Sequence, residues 1–206
     1  GDLSSNDSIM IKFTILNKSK LKTLLLVHGL FTSAGYWLPY LQTLKNYRLI
    51  ILDIDYRTLR DIDQYVSRIT GIIEEVAGGG VEAVISHSLG TLIASRLSSD
   101  LRQASFEICP VYSATRRNPD DFVGEIEHKI KFSMSIQEIR DFLADVDCVL
   151  ASHSTPAQAT KGRLIYLPDM DRYFSYDTSQ KFMEFRGDHF NIADAVTDIG
   201  GEWRCC

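Results

Sequence analysis

Ser88 stands where an apolar segment gives way to a helical one, and its hydroxyl is a candidate nucleophile. The segment VISHSLGTLIAS, residues 84–95, begins with β-branched residues typical of a buried strand and ends with residues that suit a helix. Ser86 and Gly90 flank the serine, and small residues there would let the strand and helix backbones pass close together. Such a turn would present the hydroxyl for attack on a carbonyl carbon. The alternative is a structural helix cap, a position that serine also favours.

The segment LLLVHGL, residues 24–30, predicts a second loop at the same edge of the sheet. An apolar strand runs directly into His28 and Gly29, so the loop begins at the carboxyl end of that strand. Its backbone could face a carbonyl oxygen, and the N–H groups of Leu30 and Leu89 are predicted to form an oxyanion hole. His28 is interpreted as a structural histidine that hydrogen-bonds to loop backbone, in preference to a catalytic role.

The elements that must position these residues alternate along most of the chain. Continuous apolar runs are typical of strands buried on both faces. Such strands are predicted at 23–29, 47–55, 81–88, 105–114 and 162–169, with a weaker one at 181–189 and an edge strand at 11–16. Helices are predicted at 36–44, 58–77 and 89–101. This order predicts an α/β fold with a mostly parallel central sheet and helices on both faces.

One domain is expected over residues 1–206, because a chain of this length can bury one substantial core. The alternation of strands and helices breaks between residues 115 and 161. Mixed charge and weak periodicity over approximately 115–134 predict a short lid insertion above the sheet. A helix at 135–147 is predicted to follow it and return to the core layer.

These motifs together resemble the α/β-hydrolase superfamily, over about residues 11 to 200. The resemblance rests on four features in order: a strand ending in HGL, the turn around Ser88, a strand ending in LPDMD, and the segment GDHFN. It implies the α/β-hydrolase fold and a nucleophile, acid and histidine in that order along the chain. His189, in GDHFN, matches the general base of the family.

The acid is implied to follow the strand RLIYL, where Asp169 and Asp171 are both available. Asp171 is favoured, because the acid of the family usually lies a few residues beyond the strand end; Asp169 remains the alternative. A carboxylate here would orient the imidazole and stabilise the imidazolium. Only eighteen residues separate Asp171 from His189, which is short for the family, so the helix usual at this point is expected to be vestigial or absent.

Composition excludes several classes of protein. The 206 residues carry a net charge of −5 with scattered lysines and arginines, so nucleic acid is not an expected partner. The four cysteines have the spacing of neither a disulfide framework nor a zinc site, which favours a reducing, cytoplasmic location. The apolar stretches are too short for a predicted membrane span. Neither a metal nor an organic cofactor is expected.

The resemblance implies a serine hydrolase that cleaves a carboxylic ester or thioester of a small-to-medium acyl substrate through an acyl-enzyme. A neutral imidazole is needed as base, so activity is expected to fall below about pH 6 to 7. Candidate substrate contacts are Phe31, Trp37, Tyr112, Arg116 and Arg117.

Positive charge at Arg116 and Arg117 would suit an anionic head group or an acyl carrier protein, although the interleaved acidic residues favour a solvated surface. Two other functions stay open. One is an acyl-transferring or cyclising thioesterase that acts on a carrier-bound substrate. The other is a non-catalytic ligand binder on the same fold.

Overall fold

Seven strands form the main sheet of the computed structural model, which describes residues 11–59, 61–129, 135–152 and 162–202. Their order across the sheet is β1-β3-β2-β4-β5-β7-β9, and every neighbouring pair is parallel except β1 with β3. A separate antiparallel pair joins β6 to β8. The strands are β1 (Ile11–Leu16), β2 (Thr23–Val27), β3 (Arg48–Ile54), β4 (Val81–His87), β5 (Arg102–Ile108), β6 (Ala114–Arg116), β7 (Arg163–Pro168), β8 (Phe174–Tyr176) and β9 (Met183–Phe185).

The helices lie between and beyond these strands. They are α1 (Ile62–Ala77), α2 (Gly90–Ser95), α3 (Pro119–Lys129), α4 (Ile136–Ser152) and α5 (Ala193–Glu202). The helix predicted from residue 36 is a 3-10 segment, Ala34–Tyr40, because Pro39 inside it cannot donate a backbone hydrogen bond. Within the described ranges, no helix is long and apolar enough to cross a bilayer.

Two hydrophobic cores cover the two faces of the sheet. Alternate residues of β3 point to opposite sides, with Ile50 and Leu52 in the first core and Leu49 and Ile51 in the second. Helices α1 to α4 cover the first face, and α5 with the Ala34–Tyr40 segment covers the second. Burial on both faces explains the continuous apolar runs, and it confirms the predicted α/β-hydrolase-type layering.

After β5 the chain leaves the main sheet, and β6, α3 and α4 follow before it returns at β7. The strand predicted to reach residue 114 ends at Ile108, because Cys109 adopts a left-handed φ of 54° and Pro110 follows it. Beyond β6, the segment predicted as a weakly periodic lid contains α3. Helix α4 runs further than predicted, and it buries Ile139 and Leu143 in the first core. Residues 130–134, at the end of the predicted lid, lie outside the described ranges.

A sharp turn joins β4 to α2 at Ser88, whose φ is 55°. The turn packs against the end of β2 so closely that a Cβ atom on Gly90 would lie 2.6 Å from the carbonyl oxygens of Val27 and His28. A Cβ on Gly29 would lie 2.7 Å from the Cβ of Ser88. Both glycines are therefore required by close backbone approach.

Gly90→Ala should lower the free energy of unfolding by about 1–3 kcal/mol, because the added methyl meets two backbone oxygens that cannot rotate away. Gly71→Ala in α1 is the control: a Cβ there meets nothing within 4 Å, and alanine favours a helix, so stability should stay equal or rise by up to about 1 kcal/mol. Urea denaturation of both variants measures the difference. Equal stability of the two variants would contradict the close packing.

Candidate active site

Ser88 and His189 meet at the carboxyl edge of the sheet, although 101 residues separate them in the chain. Ser88 Oγ lies 2.9 Å from His189 Nε2. The serine is carried by the β4–α2 turn, and the histidine by the loop between β9 and α5. His189 is 1% exposed, so its ring is shielded from solvent while it contacts the hydroxyl. This arrangement allows the imidazole to accept the serine proton.

Asp171, of the two predicted acids, is the one that reaches the imidazole. Its Oδ2 lies 3.3 Å from His189 Nδ1, and its Oδ1 accepts hydrogen bonds from the backbone N–H groups of Tyr173 and Phe174 at 2.8 and 2.9 Å. Burial would raise the pKa of Asp171, but the nearby His189 and hydrogen bonds from the Tyr176 hydroxyl and the Phe174 N–H outweigh it and lower the pKa below its ordinary value.

Asp169 has a different role in the same loop. Its Oδ1 accepts the backbone N–H of Gly187 at 3.0 Å, and its own N–H donates to the carbonyl of Phe185 at 2.9 Å. These bonds fasten the acid loop to the segment that leads to His189. The segment between Asp171 and His189 holds β8 and β9 and no helix, as the short spacing predicted.

Tyr176 is a member of the site that the sequence analysis missed. Its hydroxyl lies 2.7 Å from His189 Nδ1 and donates a short hydrogen bond to Asp171 Oδ2. The hydroxyl therefore contacts both the carboxylate and the imidazole, and it is the closer of the two oxygens to Nδ1. Its position on a three-residue strand, five residues after Asp171, gave no periodic signal in the sequence.

His87, the other histidine of the site, holds the backbone of the loop that carries His189. Its Nε2–H donates to the carbonyl oxygen of His189 at 2.6 Å. Its ring stacks on Tyr36 at 4.8 Å, and the Tyr36 hydroxyl donates to the carbonyl of Phe190 at 2.7 Å. Burial, with a contribution from His189, lowers the pKa of His87 to about 3. The ring is therefore uncharged at neutral pH. We call the hydrogen bond from its Nε2–H to the His189 carbonyl the His87 clamp.

His28 directly follows β2 and hydrogen-bonds to the backbone. Its Nδ1 lies 2.8 Å from the carbonyl oxygen of Gly29, and its Nε2 accepts the backbone N–H of Ile54 at 2.8 Å. Tyr56 donates to its carbonyl oxygen at 2.6 Å. Burial lowers the pKa of His28, which keeps it neutral. These contacts match the predicted structural histidine bound to backbone.

The two predicted oxyanion-hole residues both border the cavity beside Ser88. Leu30 follows Gly29, which packs directly on the turn, and Leu89 follows Ser88 itself. Leu89 is the residue before α2, and no side chain caps that helix start. Backbone N–H groups at an uncapped helix start favour an anion, because the helix dipole adds positive potential there.

A cavity of about 320 Å³ opens onto Ser88 and His189. Most of its wall is apolar, and the wall is formed by β6, α3, α4, β8 and the loops at the carboxyl edge of the sheet. The apolar contributors include Leu30, Val111, Phe122, Leu143, Val146, Leu150, Phe174 and Phe190. Arg116 and Asp147 also border it, and they form an ion pair with each other.

Three of the five predicted substrate contacts lie elsewhere, and only Tyr112 and Arg116 border this cavity. Trp37 is fully buried in the second core, on the face opposite α1 to α4, so it supports the sheet. Phe31 packs edge-on against Phe142 and borders a neighbouring cavity of about 360 Å³. Arg117 is exposed, and its Nε donates to the carbonyl of Phe174 at 3.1 Å.

Residues 24–190 match the model of the alpha/beta hydrolase family, a region that includes Ser88, Asp171 and His189. The chain belongs to the alpha/beta hydrolase family. This membership agrees with the observed sheet order and with the turn that carries the serine. No curated protein matches the sequence.

Solved structures of other alpha/beta hydrolases superpose on this one over most of their length. A proposed aryl esterase from Burkholderia cenocepacia is 14% identical with a TM-score of 0.67, covering 96% of this chain and 95% of its own. The Paleococcus ferrophilus monoacylglycerol lipase is 16% identical with a TM-score of 0.59, covering 94% and 98%. A proposed ancestral haloalkane dehalogenase is 12% identical with a TM-score of 0.64, covering 96% and 97%. At these identities the likeness shows the fold.

His87→Phe tests the clamp on the His189 loop. Phenylalanine keeps a ring to stack on Tyr36 but cannot donate to the buried carbonyl of His189, which should lower the free energy of unfolding by about 1–3 kcal/mol. Urea denaturation followed by tryptophan fluorescence measures this. A variant as stable as the wild type would mean that the hydrogen bond contributes nothing to holding the loop.

Proposed function

We propose that this protein is a serine hydrolase that cleaves an ester or thioester of a small molecule with an apolar acyl group. The observation that supports it best is the 2.9 Å contact between Ser88 Oγ and His189 Nε2 at the wall of an apolar cavity. A hydroxyl, a base and an orienting carboxylate in this geometry are the components of acyl transfer.

The reaction would proceed in two halves. His189 Nε2 takes the proton of Ser88, and the oxygen attacks the carbonyl carbon to give a tetrahedral intermediate whose negative oxygen faces the N–H groups of Leu30 and Leu89. The imidazolium then gives its proton to the departing alcohol or thiol, which leaves an acyl-serine. In the second half, His189 takes a proton from water, hydroxide adds to the acyl carbon, and the carboxylic acid leaves as Ser88 regains its proton.

The nucleophile favours acyl transfer over dehalogenation, although the fold also occurs in a proposed dehalogenase. Attack of a serine oxygen on an alkyl halide would form an alkyl ether, which lacks the carbonyl carbon that water needs to release it. An acyl-serine has that carbon. A serine at the turn therefore supports repeated turnover on esters and thioesters.

The cavity wall supports an uncharged substrate over an acidic carrier protein. Arg116 is neutralised by its ion pair with Asp147, and Arg117 donates to a backbone carbonyl. Of the two cations predicted to meet an anionic partner, the one that borders the cavity is thus already paired with a carboxylate, and the other lies outside the cavity wall. The remaining wall is largely apolar and suits an acyl chain.

The direct test is covalent labelling with a fluorophosphonate probe, which phosphonylates an activated serine. We expect peptide mapping to find the label on Ser88, and Ser88→Ala to abolish both labelling and the hydrolysis of p-nitrophenyl acyl esters. Folded wild-type protein that takes no label and hydrolyses no ester would refute the proposed function.

The choice of acid gives a second prediction. Asp171→Asn should lower kcat by about 100-fold or more, because an amide cannot stabilise the imidazolium as a carboxylate does. Asp169→Asn is the matched control: its amide oxygen can still accept the Gly187 N–H, so kcat should change by less than about threefold. Steady-state kinetics on one ester compares them. Similar losses in both variants would count against Asp171 as the acid.

A further inference from the structure

We propose that Tyr176 is a positioning residue through which Asp171 acts on His189. Its hydroxyl accepts the hydrogen bond of His189 Nδ1–H and donates its own proton to the carboxylate. This inference rests on the proposed function, since it concerns the base of that reaction.

Proton counting fixes the direction of each bond. His189 Nε2 must carry a lone pair to accept the proton of Ser88, so its Nδ1 carries the hydrogen. The nearest acceptor for that hydrogen is the Tyr176 oxygen at 2.7 Å, whereas Asp171 Oδ2 lies at 3.3 Å. The tyrosine proton is then free to bond to Oδ2.

The longer of the two distances argues against a direct ionic hydrogen bond. A charge-assisted bond from N–H to a carboxylate is typically about 2.7–2.9 Å long. The distance from His189 Nδ1 to Asp171 Oδ2 is longer than this, at 3.3 Å, whereas the tyrosine oxygen lies at 2.7 Å. The three groups form a relay in which the tyrosine hydroxyl occupies the place closest to the imidazole. Burial, with Cys109 and Asp171, raises the pKa of Tyr176 far above its ordinary value, so its proton stays in place.

Both ends of the relay are held from outside it. The backbone N–H groups of Tyr173 and Phe174 fix Asp171, and His87 fixes the backbone of His189. The ring of Phe174 also lies 4.4 Å from the ring of His189. Because both ends are held, removal of the hydroxyl should leave His189 Nδ1–H without its closest acceptor.

Tyr176 is itself placed by the β6–β8 pair. Tyr176 pairs with Ala114, and Phe174 pairs with Arg116. Strand β6 therefore borders the cavity, while its partner β8 holds Tyr176. The tyrosine is therefore oriented by the same short sheet that shapes the cavity wall.

A double-mutant cycle on Tyr176 and Asp171 tests the relay. Tyr176→Phe should lower kcat by about tenfold or more with little change in KM, and move the acid limb of the pH profile to lower pH, because the imidazolium loses its nearest acceptor. Asp171→Asn should cost about 100-fold in the wild-type background but less than about fivefold in Tyr176→Phe, since the hydroxyl through which the carboxylate acts is then missing.

Tyr166→Phe is the matched control. It removes another buried tyrosine hydroxyl, which bonds to Asp198 Oδ2 at 2.7 Å away from the cavity, and it should leave kcat and the pH profile unchanged. If Asp171→Asn costs the same with and without Tyr176, or if Tyr176→Phe behaves as Tyr166→Phe does, the carboxylate acts directly and the relay is wrong. Fluorophosphonate labelling of Ser88 in these variants keeps that failure distinct from a failure of the proposed function.

A second variant covers the case in which Tyr176→Phe does not fold. Difluorotyrosine at position 176 keeps the ring and the hydroxyl but makes the oxygen a weaker acceptor for His189 Nδ1–H. The relay predicts a lower kcat and an acid limb shifted in the same direction. A pH profile that superimposes on that of the wild type would overturn it.

Discussion

The hydrogen bond between Ser88 Oγ and His189 Nε2 is the interaction on which the candidate site depends, and contacts to the backbone hold both of its ends. On the serine side, the β4–α2 turn lies so close to the end of β2 that Gly90 and Gly29 have no room for a Cβ. On the histidine side, His87 donates to the backbone carbonyl of His189. The contact between Ser88 and His189 thus depends on packing at the sheet edge.

Burial gives the site its electrostatic character. Desolvation lowers the pKa of both His28 and His87, so these buried histidines stay uncharged, and His87 adds no positive charge beside His189. Asp171 is kept ionised by hydrogen bonds that outweigh its burial. The low polarity around Asp171 and His189, which are both buried, strengthens the interaction between them.

The layers of the fold could be predicted from the sequence, because strands that are buried on both faces appear as continuous apolar runs. The strands β2, β3 and β4 are rich in buried apolar residues that belong to both cores, and they are neighbours in the sheet. The prediction failed where a single residue changed the local geometry. Pro39 shortened the helix predicted from residue 36 to a 3-10 segment, and the left-handed Cys109 ended β5 six residues earlier than predicted.

The sequence by itself indicated the turn at Ser88, because small residues around a serine are a local pattern, and its resemblance to the α/β-hydrolase superfamily indicated His189 and the order of the two. It left Asp169 and Asp171 as alternatives, missed Tyr176 and His87 as partners, and assigned Trp37 to the substrate. Only the tertiary structure decided these, since they depend on which side of the sheet a residue faces and which distant atom meets it. Hydrogen-bond partners from separate segments leave no periodic trace in a sequence, whereas burial and backbone strain do.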